Sequence, residues 1–365
     1  MPSEPGVRFV STGTVRRQPD RVLPALLDRV VPDELETDAV PRLEQRIADL
    51  LGKPAAAMFP SGAMAQQVAL RLHADRRGVR SVAFHPTCHL ELHEQKGYAV
   101  VHGLSSALVG DPNSLITLAD LAALREPVAA LLLELPQREI GGRLPSWEDL
   151  VAQTEWARER GAAVHMDGAR LWEAQPFYGR PYAEIAALFD TVYVSLYKGL
   201  SGIAGAVLAG EQDFIQHACL WRDRLGGNVD RFWPMAYAAE RGLDELLPRM
   251  AEFANRAGEL AAALREVPGV RVVPDPPQTH MFHLHLEADP QAVTVAVKRL
   301  RAETGLALPR YVWQLPTPGW CAMEITASAQ LDEVSDTEAV DLLTEVLNRA
   351  VDGARASRTD PRDGA

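Results

Sequence analysis

Short apolar runs alternate with longer helix-like segments along the first two-thirds of the chain. The runs Ala55–Phe59, Val79–Phe84, Tyr98–Val101, Val128–Leu133, Ala162–Met166, Thr191–Leu196 and Gly205–Ala209 predict seven short strands. Most are separated by segments such as Ala63–Arg77, Leu118–Leu124, Trp147–Arg160 and Tyr182–Phe189, which predict helices. Strands alternating with helices imply an α/β fold, a mostly parallel seven-stranded sheet flanked by helices. Only a short glycine-rich connection separates Thr191–Leu196 from Gly205–Ala209, which leaves no room for a crossover helix, so this pair is expected to be antiparallel.

After about Leu243 the pattern changes. A long alanine-rich amphipathic stretch, Leu246–Val267, is followed by strand-like Val270–Pro274 and His280–Leu286, a helical segment at Ala292–Thr304, strand-like Cys321–Thr326 and a last helix at Thr337–Val351. The expected division is a large domain over 1–245, a smaller α+β domain over 246–351 and a disordered polar tail over 352–365. The first residues of the chain, roughly twenty, are expected to pack on the small domain.

Composition narrows the class. The 365 residues can bury a large core, and a net charge of −12 gives no global basic surface for nucleic acid. Three widely spaced cysteines, Cys88, Cys219 and Cys321, point to a reducing compartment. No apolar signal core opens the chain and no uncharged run approaches a membrane span, so the expectation is a cytoplasmic protein without a membrane partner.

Charge usage brings in the chemistry. The chain has four lysines against thirty-three arginines, and one of the four, Lys198, follows the strand Thr191–Leu196. A partly buried lysine can lose its proton and attack a carbonyl, which a guanidinium cannot do. Thirty-one residues upstream, Ala163-Val-His-Met-Asp-Gly-Ala-Arg places Asp167 at another strand end. Such a pair suits pyridoxal 5′-phosphate, the lysine taking C4′ and the aspartate keeping the pyridine nitrogen protonated. A solvated lysine and a turn Asp-Gly are the plain alternatives, and the order and spacing of both motifs in one sheet weigh against them. Gly199, Gly202 and Gly205 lack the G-x-G-x-x-G spacing of a dinucleotide site. His85, His89 and His93 fall at i, i+4 and i+8, but no clear supporting partners accompany them beyond Glu91 and Glu94, so no metal site is expected.

Six segments taken together are similar to the threonine aldolase and β-eliminating lyase group of fold-type I pyridoxal phosphate enzymes, over nearly the full length. They are Leu51-Gly-Lys-Pro-Ala-Ala-Ala-Met-Phe-Pro-Ser-Gly-Ala-Met-Ala, His89-Leu-Glu-Leu-His-Glu, Ile140-Gly-Gly-Arg-Leu-Pro, His165-Met-Asp-Gly-Ala-Arg-Leu-Trp, Ser195-Leu-Tyr-Lys-Gly-Leu and Leu225-Gly-Gly. The resemblance implies that Lys198 binds the cofactor, Asp167 holds its ring nitrogen and His89 stacks on its face. It also implies that Arg170 grips the substrate carboxylate beside the cofactor. Ser61, Gly62 and Ala63 lie where a strand turns into a helix, so their backbone N–H groups can hold the phosphate. Arg224, with Arg222 and Arg231, remains as a basic candidate for that phosphate. Homodimeric or homotetrameric assembly follows from the resemblance alone.

The departures fall on the substrate side. Glu134-Leu-Pro-Gln-Arg stands where the family commonly has Glu-Asn-Thr-His, so an imidazole near the substrate hydroxyl is missing. A tyrosine near Asp33–Asp38 and an arginine near Met323–Ala327 are missing as well. The expected activity is cleavage of the Cα–Cβ bond of a β-hydroxy-α-amino acid to glycine and an aldehyde. Elimination at Cβ on another amino acid, and a non-catalytic binding protein, are the alternatives.

Overall fold

A computed structural model describes residues 8–10, 19–27, 35, 37–309, 311–328 and 334–359. The chain divides into two compact units, Arg17–Met250 and a second formed by Met1–Arg16 with Ala251–Ala365.

The larger unit is built on seven strands. In space they run Ala55–Phe59, Ala206–Gly210, Thr191–Ser195, Ala163–Gly168, Ala130–Glu134, Ser81–Phe84 and Ser105–Leu108. Only Ala206–Gly210 runs against its neighbours, and it is antiparallel to both of them, as its short connection from Thr191–Ser195 dictates. Every residue of Thr191–Ser195 and Ala206–Gly210 is buried, which is why these strands read as continuous apolar runs. The helix Gly62–Arg77 lays Ala65, Val68, Ala69 and Leu72 on this sheet, in one cluster with Tyr193 and Leu208 of the strands and Phe214 of the helix Gln212–Arg224.

One expected strand is a correction. Tyr98–Val101 does not join the sheet; Gly97–Val100 is a helical turn, and the edge strand lies further on at Ser105–Leu108. Gln95 and Lys96 both take left-handed backbone angles that turn the chain, and Tyr98 is drawn inward, ring edge on Phe84 and hydroxyl donating to Glu91. Only Tyr98 of the apolar run is buried, while Val100 and Val101 are 82% and 56% exposed.

The second unit carries a four-stranded antiparallel sheet in the order Trp313–Gln314, Cys321–Thr326, Met281–Leu286, Val270–Val273. Phe282, Leu284 and Leu286 pack with Cys321, Met323 and Ile325 into one core together with residues of the helices Pro290–Thr304 and Asp336–Thr359. The helix expected over Leu246–Val267 spans Met250–Leu264, after a separate 3₁₀ turn at Leu247–Arg249. Pro248 has no N–H to give an α-helical bond, which suits that break. The last helix continues to Thr359, past Asp352 where a tail was expected; residues 360–365 lie outside the described residues.

Candidate active site

Three parallel strands bring Glu134, Asp167 and Tyr193 into one row at their carboxyl ends. Glu134 pairs with Asp167 and Asp167 with Tyr193 in the sheet register. Asp167 is 2% exposed. Its Oδ1 accepts the Ala169 N–H at 3.0 Å, and its carboxylate makes no other hydrogen bond or ion pair among the described residues.

Lys198 stands three residues beyond the end of Thr191–Ser195. The buried Ser195 hydroxyl accepts the N–H groups of Tyr197 and Lys198 at 3.4 and 3.3 Å, and the Lys198 carbonyl accepts from Ser201, which closes the turn. The ammonium makes no ion pair among the described residues. Burial, with the nearby Arg170 charge, pulls its pKa down to about 8, against the opposing pull of Asp167, Glu134 and Glu173. A lysine at that value carries a usable fraction of neutral, nucleophilic amine near neutral pH.

Two further acids surround it. Glu173 is 2% exposed in the helix Leu171–Tyr178, and its carboxyl lies directly on Gly199: a Cβ there would stand 2.4 Å from Oε1 and would displace the carboxyl from beside the lysine. Burial raises Glu173 to about 7, with Arg170 and Lys198 drawing it down. Glu134 accepts the Arg138 N–H at 3.2 Å and the Gln137 side-chain amide at 3.3 Å. Burial and the Asp167 charge raise it to about 7 as well. Arg170 precedes the helix, and its guanidinium makes no hydrogen bond or ion pair among the described residues, Glu173 included.

His89 opens the short helix His89–Leu92. Its Nδ1 lies 3.0 Å from Glu94 Oε1, and the Gln67 amide donates to the other Glu94 oxygen at 3.0 Å. The Glu94 side chain is 4% exposed, so the acid that fixes His89 is itself held from behind. His93 lies against the His89 ring at 5.1 Å and pairs with Glu139, while His85, before the helix, bonds to Thr87 and to the carbonyls of Asp111 and Ser114. The three imidazoles therefore serve different partners, and among the described residues no group of three metal-ligating side chains converges.

Ser61 caps the helix Gly62–Arg77, its hydroxyl accepting the Met64 N–H at 3.2 Å. The first amide groups of this sixteen-residue helix and the positive end of its dipole make an anion-favouring turn. Arg224 is placed elsewhere: it is exposed, with its guanidinium 5.0 Å from the Trp221 ring, which also takes Arg71 at 4.6 Å. Arg222 donates to the Met58 carbonyl at 2.8 Å. Of the residues singled out in sequence, Lys198, Asp167 and Arg170 lie within electrostatic reach of one another, whereas the neutral-range acids Glu134 and Glu173 were not singled out. The acids gave no signal in sequence beyond their residue type, because burial makes them what they are.

The Beta-eliminating lyase family profile matches residues 33–287. The low-specificity L-threonine aldolase 1 of Arabidopsis thaliana is 30% identical over 309 residues, 81% of this chain and 86% of the relative. A solved structure of a candidate L-allo-threonine aldolase from Listeria monocytogenes EGD-E is 38% identical, covers 94% of this chain and 95% of its own, and superposes with a TM-score of 0.86. Another from Exiguobacterium sp. 255-15, described as an aromatic amino acid β-eliminating lyase/threonine aldolase, is 37% identical with a TM-score of 0.87, covering 94% of this chain and 97% of its own.

Proposed function

The chain belongs to the β-eliminating lyase family, and we propose that it is a pyridoxal 5′-phosphate-dependent carbon–carbon lyase that splits β-hydroxy-α-amino acids into glycine and an aldehyde. The observation that carries this reading is Lys198: a partly buried amine, drawn down to about 8, with no ion pair among the described residues, within reach of the Asp167 charge at the carboxyl end of the sheet. The donor set suits the cofactor. Lys198 offers the nucleophile, Asp167 has a carboxylate oxygen available for a protonated ring nitrogen, and the Ser61–Ala63 turn offers amides for a phosphate. When bound, pyridoxal phosphate supplies the electron sink that takes the pair released as a bond at Cα breaks.

The chain's own groups do the rest. The open Arg170 guanidinium can grip a substrate carboxylate through two parallel bonds, which fixes the bond at Cα that is set to break. The His89 imidazole, tied at Nδ1 to Glu94, can stack on a planar ring and keep Nε2 for a proton. Glu134, at about 7, can take or give a proton at the strand end where no histidine follows. We also read the exposed Val100, Val101 and Leu220 as contacts of a homodimer or homotetramer; sedimentation as a monomer alone at micromolar concentration would overturn that assembly.

A second reading, elimination at Cβ, draws support from the segment Glu134-Leu-Pro-Gln-Arg, which has no imidazole for the substrate hydroxyl. One experiment separates the two. The protein is incubated with pyridoxal phosphate and either L-threonine or L-allo-threonine, and products are assayed. Glycine and acetaldehyde in equal amounts support cleavage, a 2-oxo acid with ammonia supports elimination, and neither with any β-hydroxy amino acid tested contradicts the lyase reading.

A further inference from the structure

One side-chain hydroxyl near the Ser61 turn has no hydrogen-bond partner among the described residues. Tyr193 is 2% exposed and sits beside Asp167 in the sheet register. Its ring belongs to the apolar cluster with Ala57, Phe59, Ala65 and Val68, which accounts for the ring but not for the hydroxyl, since phenylalanine would fill the same space. The hydroxyl ends on the first residue of the helix Gly62–Arg77. A Cβ at Gly62 would stand 2.1 Å from Oη and 2.4 Å from Cζ, so position 62 has to lack a side chain for the phenol to end there.

Among the described residues the hydroxyl makes no hydrogen bond. The hydroxyl of a tyrosine whose ring is buried normally finds a partner. Burial, with the charges of Asp167 and Glu94 and the neighbouring Tyr197, pushes the phenol well above its usual range, with Arg170 pulling the other way. It therefore keeps its proton at neutral pH and can donate. It ends beside Gly62, at the helix start whose amides attract an anion. Of the basic side chains expected there, Arg222 is held by the Met58 carbonyl and Arg224 lies over Trp221.

We propose that Tyr193 is a phosphate-binding residue, its hydroxyl donating to an oxygen of the cofactor's phosphate monoester at the Gly62–Ala63 amides. This rests on the cofactor reading above and adds to it a neutral donor. The assignment explains why Gly62 is glycine and why the buried strand Thr191–Ser195 carries a phenol rather than a benzyl group at this point.

The test compares two ligands that differ only in the phosphate. Wild type and Tyr193→Phe are titrated with pyridoxal 5′-phosphate and with pyridoxal, and binding is followed by absorbance. The expected result is a loss of about tenfold or more in affinity for pyridoxal phosphate, as for a hydrogen bond to a charged group, with pyridoxal affinity unchanged. Unchanged pyridoxal binding also reports that the variant is folded. Equal losses for both ligands, or no loss for either, would overturn the assignment while leaving the cofactor reading intact. Wild-type protein that binds neither ligand would remove both.

Discussion

The two ends of the large unit's sheet place polar side chains on the same strands and under the same helix, and burial has opposite consequences there. At the amino end, His73 Nε2 and His165 Nδ1 each lie 2.8 Å from the Thr191 hydroxyl, and all three residues are buried. Burial holds both imidazoles down at about 3, so they are neutral and bonded within the fold. Two residues further along those strands, Asp167 and Tyr193 keep hydrogen-bonding capacity that no other described residue uses, next to Lys198, Glu134 and Glu173. Desolvation makes a structural polar cluster where partners are internal. It makes reactive groups where they are not.

Substitutions at the two ends should therefore fail differently. Lys198→Ala is expected to abolish turnover, and Lys198→Arg to do no better, because a guanidinium stays protonated; steady-state assays with threonine check both. Asp167→Asn should lower kcat by about 10²–10³ through loss of one preorganised charge, with the melting temperature nearly unmoved, and a large melting shift would erase the contrast. At the other end His73→Ala should reverse the pattern, costing about 2–4 kcal/mol of stability while the folded protein keeps its affinity for pyridoxal phosphate. Denaturant titration and ligand titration on one preparation decide this.

The smallest effect concerns pH. Glu173 is raised from its ordinary value to about 7, so the folded chain holds a proton there that the unfolded chain has released. The stabilisation this gives is full below the ordinary carboxyl value and is lost as pH rises through about 7. Glu173→Gln lacks that loss. Its stability relative to the native apoprotein should rise between pH 5 and pH 8, by up to about 3 kcal/mol at roughly 1.4 kcal/mol per unit. A difference that stays flat with pH would place the Glu173 proton outside this account.

Much of the open end was legible in the sequence, because a strand that is buried on both faces writes itself as a continuous apolar run, and the residues just after it are where ligands bind. Lys198 and Asp167 follow from that rule. The edge strand Ser105–Leu108 was not legible, since its Ser-Ser-Ala-Leu is partly exposed and carries no apolar run, whereas Tyr98–Val101 carries one and folds as a helical turn. Tyr193 lay hidden inside a buried run, where it reads as core. Arg224 had the expected charge at the expected place in the chain, but its guanidinium lies over an indole. Glu134 and Glu173 owe their chemistry to neighbours distant in sequence, which periodicity does not report.

The most direct test of the open end as a cofactor site is to incubate the protein with pyridoxal 5′-phosphate, reduce with borohydride, digest, and locate the modified peptide by mass spectrometry. One stable pyridoxyl adduct is expected, on Lys198. An adduct spread over Lys53, Lys96 and Lys298, or none at all, would contradict it.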